Sequence, residues 1–424
     1  MPSLPTAQHP AATHSQDTPP LSHAEFVAIL AAIMALNALA IDTMLPALPD
    51  IAQALDIRAA NDRQHIISLY FIGLGLGSLL HGPLADRFGR KPVVLAALAG
   101  YIVCALAAGL SSSWPMLQGL RLVHGLCGAA LSVVGLAMVR DCTRGDAMAR
   151  LLSTIFLVFM VVPVLAPSLG SLILSFGNWR LIFLLLGGMG ALMAVWVALR
   201  LPETLAAEDR LSIRPRELAR TWGRVATHRQ SMAYMLASSL AVGANYGFLN
   251  SSEQIVSETF HARDLFPYAF ASVASSMAVA NFFNSRIVMK FGARRVGQTA
   301  LILSIAISIA QLLASGAGES LPVFLVLVAL NMSMIGFIGA NFSSIAMETF
   351  GDVAGSASSF QSSVRTLIAA VIGAAIGAGF DGTSVPLALG YASCGVVALV
   401  LVLWGERGRM FTRPNPPHRP APRT

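Results

Sequence analysis

Apolar runs long enough to cross a bilayer recur along this chain, and they constrain its fold more than any other feature. A spanning helix takes about 20 apolar residues, because about 30 Å of hydrocarbon is crossed at about 1.5 Å per residue. Backbone groups in lipid have no water to bond, so such runs predict helices. Twelve runs can be placed, at Phe26–Leu48, Ile66–Leu84, Val93–Leu110, Met116–Val139, Leu151–Phe176, Leu181–Leu199, Met232–Asn250, Phe266–Val288, Val296–Ala314, Leu321–Ile345, Ala354–Phe380 and Val385–Leu403.

The composition agrees with a membrane protein. Of 424 residues, 55% are hydrophobic and only 12% are charged. The net charge of +7 would suggest nucleic acid as the partner of a soluble protein, but here the basic residues are spread over short loops. We therefore expect membrane lipid and no nucleic acid among the partners. The four cysteines lack metal-ligand spacing, so we predict unpaired thiols and no metal site.

Basic residues between the runs predict the orientation. One side carries most of them, namely Arg87, Arg90, Lys91, Arg140, Arg144, Arg150, seven arginines from Arg200 to Arg229, Lys290, Arg294, Arg295 and five arginines from Arg407 onward. The other side carries only Arg58, Arg63, Arg180 and Arg263. Because basic loops stay on the cytoplasmic side, the first side is predicted to be cytoplasmic, and by parity both termini are cytoplasmic too.

The longest polar interruption, Leu201–Arg229, divides the runs six and six. We expect an all-α membrane protein of twelve transmembrane helices in two six-helix bundles, at 23–200 and 230–405, joined by a cytoplasmic linker at 201–229. Residues 1–22 contain no Lys or Arg and so lack the basic region of a signal peptide; they are predicted to form a disordered cytoplasmic tail. Residues 406–424 are predicted to form a disordered basic tail.

A charged cluster at Gly82–Pro92 separates the second and third runs and has a partial copy in the second half of the chain. The copy ends at Arg295, where Gly292 matches Gly89 and the pair Arg294–Arg295 matches Arg90–Lys91. This repeat indicates a duplicated bundle. Two such halves predict a substrate site at mid-depth between them and alternating access by rocking.

Two ionisable residues of opposite sign lie at matched depth inside the runs. Asp42 stands about six residues before the end of the first run, and Arg121 about seven residues into the fourth, so both lie roughly 9–10 Å below the periplasmic edge. An uncompensated charge there costs on the order of 2.5–3.5 kcal/mol. Either the two form a structural ion pair, or Asp42 exchanges a proton and Arg121 tunes it.

Two further polar residues within the runs have open roles. His124, one turn beyond Arg121, is either a proton relay or a hydrogen-bonded structural histidine. Arg365 lies near the bilayer centre on a Ser- and Gln-rich run. It could attract an anionic substrate group, repel competing cations, or bond facing carbonyls.

Taken together, these stretches resemble the drug:proton antiporters of the major facilitator superfamily, and most closely the Bcr/CflA subfamily of bacterial multidrug exporters. The resemblance runs from about Ala24 to Trp404. The residues that carry it are Ile41–Pro49, Gly82–Pro92, Arg121, Gly125, Arg140, Asp141, Ala166–Gly170, Asn178–Arg180, Phe183 and Val353–Ser358. Thr43, Ser171 and His124 depart from the usual residues and leave the substrate range open.

The resemblance implies roles for particular residues. Asp42 and Arg121 would be linked to protons, and Pro163, Pro167 and Gly170 would form an antiporter helix that seals the interface during exchange. A gating loop, with Asp86 near the start of the eleventh helix and a basic residue paired with Asp141, would comprise Gly82, Asp86, Arg87, Gly89, Arg90 and Asp141. Candidate cavity residues, for which ordinary helix packing is an equal alternative, are Asn37, Tyr70, Asn245, Tyr246 and Gln361, together with Arg365.

We therefore predict a monomeric secondary transporter of the bacterial inner membrane that exports amphipathic drugs or related small molecules in exchange for protons. It would be no enzyme and would need no cofactor, since the chain has no nucleotide-phosphate loop and a proton gradient suffices. One alternative is a transporter of a nutrient such as an amino acid or sugar, against which the Pro163–Gly170 signature argues. A second is a membrane enzyme or a sensor, against which the scarcity of intramembrane acids argues.

Overall fold

The structure, a computed structural model, describes residues 22–143, 145–210, 215–350 and 354–412. Most of the predicted tails at 1–22 and 406–424, and part of the predicted linker, lie outside the described residues. The first helices, called the N-terminal half below, are α1 (His23–Asp42), α2 (Leu48–Ala54), α3 (His65–Phe88), α4 (Arg90–Gly109), α5 (Trp114–Cys142), α6 (Gly145–Phe176) and α7 (Arg180–Arg200).

A linker helix, α8 (Pro215–Thr227), precedes the second group of helices. This C-terminal half comprises α9 (Arg229–Gln254), α10 (Phe266–Phe291), α11 (Ala293–Gly316), α12 (Leu321–Met347), α13 (Ala354–Ala378) and α14 (Val385–Gly405). The described residues form helices and connecting turns and contain no strand. Prolines in the first turns of α5, α10, α12 and α14 mark helix starts, where the missing N–H costs no hydrogen bond.

Ten helices among the described residues are long and apolar enough to cross a membrane, so the chain is a multi-pass membrane protein. Two other long helices are not among these ten. Helix α6 is nonetheless apolar in sequence from Leu151 to Phe176. Helix α9 carries buried serine and asparagine side chains along its length. Both pack among the spanning helices.

The two halves repeat one packing scheme. In the N-terminal half α1 packs on α5, α6 and α7, α4 packs on α5 and α7, and α3 packs on α5. In the C-terminal half α9 packs on α12, α13 and α14, α11 packs on α12 and α14, and α10 packs on α12. The halves meet where α3 packs on α13 and α6 packs on α10. The predicted duplication is therefore visible in the packing.

The charged connection between α3 and α4 is shorter than predicted. Helix α3 continues through Pro83 to Phe88, and α4 begins at Arg90, so Gly89 alone separates them. Gly89 has a φ of 99°, and Gly292, between α10 and α11, has a φ of 85°, a region that favours glycine. The second run was predicted to end at Leu84, but the helix continues to Phe88, because neighbouring helices can accommodate Pro83 within a membrane helix.

The predicted linker contains a helix that the sequence analysis did not identify. Trp222 of α8 stacks on Phe360 of α13, with ring centroids 5.9 Å apart. Val225 is buried against Phe350. Leu218, Trp222 and Val225 are spaced by four and three residues, which is the signal of an amphipathic helix. The linker is thus anchored to the C-terminal half.

Candidate functional site

Arg121 is the centre of a polar cluster inside the N-terminal half. The side chain is fully buried on α5. Its Nε donates to the carbonyl of Ile66 on α3 at 3.0 Å, and its Nη2 donates to the carbonyl of Ala40 on α1 at 3.0 Å. The guanidinium also lies over the ring of Tyr70, 4.4 Å from the centroid. Arg121 therefore ties three helices together while its charge has no carboxylate partner among the described residues.

Asp42 ends α1 two residues beyond the carbonyl that Arg121 binds. Its side chain is 5% exposed, so it faces the protein interior. Among the ion pairs of the described residues, none joins Asp42 to Arg121. The structural ion pair considered in the sequence analysis is therefore absent, because the guanidinium of Arg121 donates to backbone carbonyls instead. Asp42 is left as a nearly buried carboxylate at the end of α1.

His124 lies beside Arg121 and is also fully buried. Its Nδ1 is 3.2 Å from Nη1 of Arg121, which can only donate, so Nδ1 accepts and Nε2 carries the hydrogen. The ring packs edge-on against Tyr70 and Tyr101, at centroid distances of 5.3 and 4.1 Å. These contacts favour the structural alternative for His124 in this conformation.

The helix that carries the proline signature packs directly beside Asp42. Both Pro163 and Pro167 lie inside α6, which runs without a break to Phe176. Gly170 packs so tightly on the end of α1 that a Cβ there would stand 2.1 Å from the carbonyl oxygen of Thr43. The antiporter signature and the Asp42 segment, far apart in sequence, are thus brought into contact.

The predicted cavity residues fall into two groups. Within the N-terminal half, Tyr70 donates to Oδ1 of Asn37 at 2.6 Å, and Asn37 donates to the carbonyl of Gly128 and the hydroxyl of Ser132. Both predicted residues are buried in the bundle, so this conformation agrees with the alternative of helix packing. Their hydrogen bonds join α1, α3 and α5.

The second group lies on α9 and α13, near the boundary between the halves. Tyr246 stacks on Phe71 of α3 with centroids 3.6 Å apart. Arg365 donates to the hydroxyl of Ser343 at 2.9 Å, while Gln361 donates to the carbonyl of the same residue at 3.3 Å. The side chain of Asn245 is half-buried. The structure thus does not gather the six predicted residues into one cluster.

The predicted gating residues lie at one end of the molecule, which we call the basic face. Here Arg90 forms ion pairs with Asp86 at 2.6 Å and with Asp141 at 2.9 Å, so it is the basic partner expected for Asp141. Gly82 lies against Ser359 of α13. The expected position of Asp86 near the start of α13 falls next to residues 351–353, which lie outside the described residues.

The remaining gating residues have separate contacts. Arg87 lies over the ring of Phe88, 5.1 Å from its centroid. The positive φ of Gly89 turns the chain so that α4 begins at once, and the carboxylate of Glu203 then accepts hydrogen bonds from the first backbone N–H groups of α4, at Arg90 and Lys91. A carboxylate is favourable at a helix N-terminus, so the segment after α7 braces this loop.

The end away from the basic face, called the opposite face, is closed by polar contacts that the sequence analysis did not find. Arg63, just before α3, pairs with Glu253 and Glu258 of the C-terminal half. Its neighbour Gln64 hydrogen-bonds to Gln254, and Asn61 donates to the carbonyls of Ala378 and Phe380 at the end of α13. The seventh run was predicted to end at Asn250, so Glu253 was placed outside a helix that in fact continues to Gln254.

A cavity of about 210 Å³ adjoins these contacts. It lies between the halves, and its lining includes Pro46 and Ser171 from the N-terminal half and Glu253, Ser257, Arg263, Asp264 and Phe266 from the C-terminal half. None of the six predicted cavity residues lines it. The opposite face therefore holds a second polar site between the halves.

Duplicated helical halves that meet around buried charges define a class of protein, the secondary membrane transporters. The chain belongs to the Major Facilitator Superfamily, whose family model matches residues 30–374. The resemblance to this superfamily predicted from the sequence is confirmed, and the protein is a transporter rather than an enzyme.

Several similar proteins carry names that refer to drug resistance. A bicyclomycin resistance protein homolog of Haemophilus influenzae is 29% identical over 88% of this chain and 94% of that protein. The multidrug resistance protein MdtL of Klebsiella pneumoniae is 30% identical over 65% of this chain and 69% of its own length. The crystal structure of the human organic anion transporter MFSD10 (TETRAN) has the same fold, with a TM-score of 0.63, 19% identity and coverage of 92% of this chain and 100% of that chain.

Proposed function

We propose that this protein exports amphipathic drugs or related small molecules from a bacterial cell in exchange for protons. Its twelve long helices would all span the inner membrane, in two bundles of six, with the basic face and both termini in the cytoplasm. Support comes from the names of the similar proteins and from one observation within the chain. That observation is Asp42, a nearly buried carboxylate without an ion-pair partner among the described residues, beside the proline-rich helix α6.

Asp42 is suited to bind and release a proton. Removal of water favours the neutral form of a carboxyl group, whereas a nearby arginine favours the ionised form. Arg121 is held by two carbonyls, one of them two residues before Asp42, while the hydration of Asp42 would change with the conformation. A cationic drug that enters the cleft would then compete with the proton. This competition is the coupling that an antiporter needs.

The proposed cycle uses the two ends of the interface as alternate gates. In this structure the opposite face is closed by Arg63, Gln64 and Asn61. Opening that face requires these contacts to break while the halves rotate about the α3–α13 and α6–α10 contacts. Substrate would enter from the basic face and meet the second group of predicted cavity residues, Asn245, Tyr246, Gln361 and Arg365.

The proton gradient is an adequate energy source for this cycle. Moving one charge across the membrane potential yields about 2.3 kcal/mol per 100 mV. The protein would act as a monomer, since each chain contains both halves of the site. No cofactor is required in this scheme.

Flux measurements in proteoliposomes test the proposal. Purified protein is reconstituted and a pH gradient is imposed, and the movement of chloramphenicol, bicyclomycin and a fluorescent cationic drug is followed with the accompanying proton flux. We expect drug to move against its gradient as protons move the other way. Empty liposomes and the variant Asp42→Asn are the controls.

The same measurement decides between export and nutrient transport. A panel of amino acids and sugars is tested under the same gradient. Gradient-driven flux of one of these solutes, with no flux of any drug, would contradict drug export and leave the fold assignment intact. Binding of drug without flux of drug or proton would instead favour a sensor.

A further inference from the structure

Glu253 is an ionisable group inside the opposite face that the proton exchange at Asp42 does not use. The side chain is only 2% exposed, near the end of α9. Neither carboxylate oxygen accepts a hydrogen bond from the described residues. The one cation in contact is Arg63, whose Nη2 lies 3.4 Å from Oε2. A buried ionised carboxylate is costly unless it is paired and hydrogen-bonded, and Glu253 is only partly paired.

Arg63 cannot neutralise Glu253 alone, because it is shared. The same Nη2 atom is hydrogen-bonded to Glu258, whose side chain is 43% exposed. One guanidinium thus faces two carboxylates across the boundary between the halves. The charges balance when one carboxyl group is protonated, and burial selects Glu253 for that role.

Among the charged groups around Glu253, carboxylates outnumber arginines. Arg263, from the turn after α9, pairs with Asp50 of α2 at 3.0 Å. Asp264 of the same turn lines the same cavity as Glu253. The remaining close polar groups, Gln64, Gln254 and Ser257, are neutral. Two arginines therefore face four carboxylates, namely Glu253, Glu258, Asp50 and Asp264, so the cluster as described has a surplus of negative charge.

The cavity of about 210 Å³ gives Glu253 a route to solvent. Its lining runs from exposed Arg263 and Asp264 to buried Glu253. A proton can therefore reach this carboxylate from the opposite face without crossing the bundle.

We propose that Glu253 is a second proton-binding site of the transport cycle, loaded from the opposite face and buried as the halves close around Arg63. This inference rests on the proposed proton-coupled function. Closure removes water from Glu253, which favours its neutral form, so the closed conformation binds the proton more tightly than the open one. By linkage, acid at the opposite face stabilises the closed conformation, and loss of the proton favours opening.

Distances between spin labels across the opposite face test this inference. Labels are placed at exposed Arg58→Cys and Asp381→Cys, in full-length protein that lacks Cys104, Cys127, Cys142 and Cys394 and is reconstituted in lipid. For the otherwise wild-type protein, we expect the ratio of open to closed molecules to fall with acid, by up to about tenfold per pH unit for one proton. Glu253→Gln, which mimics the protonated group, should be closed at every pH.

Two further variants keep the test decisive. Glu258→Gln removes the exposed carboxylate five residues further along and should retain the pH response. Arg63→Gln removes the cation that opposes proton binding, so its transition should move to higher pH; this variant decides the matter if Glu253→Gln does not fold. An unchanged pH response in Glu253→Gln, an unshifted transition in Arg63→Gln, or no pH response in wild type would overturn the proposal.

The outcome is separable from that of the proposed function. If wild-type proteoliposomes couple drug to proton flux but Glu253→Gln responds to pH like wild type, the second site is wrong and antiport stands. If wild type moves drug without protons, the proposed antiport is wrong whatever the label distances show.

Discussion

The two halves share one packing scheme but differ in what they bury. The interior of the N-terminal half contains Asp42, Arg121 and His124. The interior of the C-terminal half instead contains a neutral network, in which Asn331 accepts from Ser304 and Ser308 and donates to Gln311. Its buried carboxylate, Glu253, lies at the end of α9 where the halves meet. Among the described residues, the N-terminal half thus has a fully buried ionisable cluster in its core, whereas the C-terminal half has a neutral network there.

The largest expected difference between the halves concerns fully buried Arg121 and half-buried Arg365. Arg121→Met should lower drug export more than tenfold and destabilise the protein by about 3 kcal/mol, because two buried carbonyls lose charged hydrogen bonds worth about 1.5–3 kcal/mol each. Arg365→Met, which removes one charged bond to a hydroxyl, should cost about half as much, about 1.5 kcal/mol. Unfolding midpoints and drug-efflux rates measure both effects. Equal losses of stability and export in the two variants would contradict the expected difference between the halves.

A smaller difference should appear at close helix contacts. A Cβ on Gly125 would stand 2.0 Å from the backbone oxygen of Tyr70, whereas one on Gly247 would stand 2.8 Å from side-chain carbons of Ile376. Backbone cannot yield as a side chain can, so Gly125→Ala should cost about 3 kcal/mol and Gly247→Ala about 1 kcal/mol. Thermal unfolding of the two variants in detergent checks the order, and a reversed order would contradict it.

At the basic face, substitution of the matched arginines Arg90 and Arg294 should destabilise the protein by similar amounts. Arg90 pairs with Asp86 and Asp141, and Arg294 pairs with Glu348 and Glu406 at 2.7 and 2.9 Å. Arg90 lies one residue and Arg294 two residues after a glycine of positive φ, and each is about nine-tenths buried. Substitution of either by Gln should cost a similar 1–3 kcal/mol or so, as expected for charged hydrogen bonds. Stability that depends on only one of them would show that the loops are not equivalent.

The smallest effect should come from the exposed pair at the opposite face. Arg263 and Asp50 join the halves at 3.0 Å, but both side chains are largely in solvent, and exposed pairs contribute about 0–1 kcal/mol. Asp50→Asn should therefore leave the unfolding midpoint and the efflux rate close to wild type. A loss of stability and efflux as large as that of Arg121→Met would mean that this pair is a main contact holding the opposite face closed.

The sequence predicted most of the fold because hydrophobic length is a local property. Every predicted run overlaps a helix, and basic loops and the Gly89 and Gly292 copies reveal the repeat. The helix α8 was missed because its apolar stripe is short, and the end of α9 was misplaced because polar residues continue a helix as well as apolar ones do.

The partners of charged residues were harder to predict than their positions. Matched depth made an ion pair of Asp42 and Arg121 one of two alternatives, yet depth along two helices does not fix which faces meet. Arg121 turns to the carbonyls of Ile66 and Ala40 instead. Arg63 was counted as a loop charge, because the contact with Glu253 joins residues almost two hundred positions apart, and nothing local in the sequence reports it.

The central claim is that Asp42 exchanges the coupling proton, and proton release on drug binding tests it most directly. Purified protein with Glu253→Gln, which removes the proposed second site, is titrated with drug in weakly buffered lipid nanodiscs while the pH is recorded. We expect close to one proton to be released per drug bound, since one carboxyl group carries one proton. The same release is expected with Asp50→Asn added and none with Asp42→Asn added, although drug still binds. Undiminished release from the Asp42→Asn protein would contradict the account.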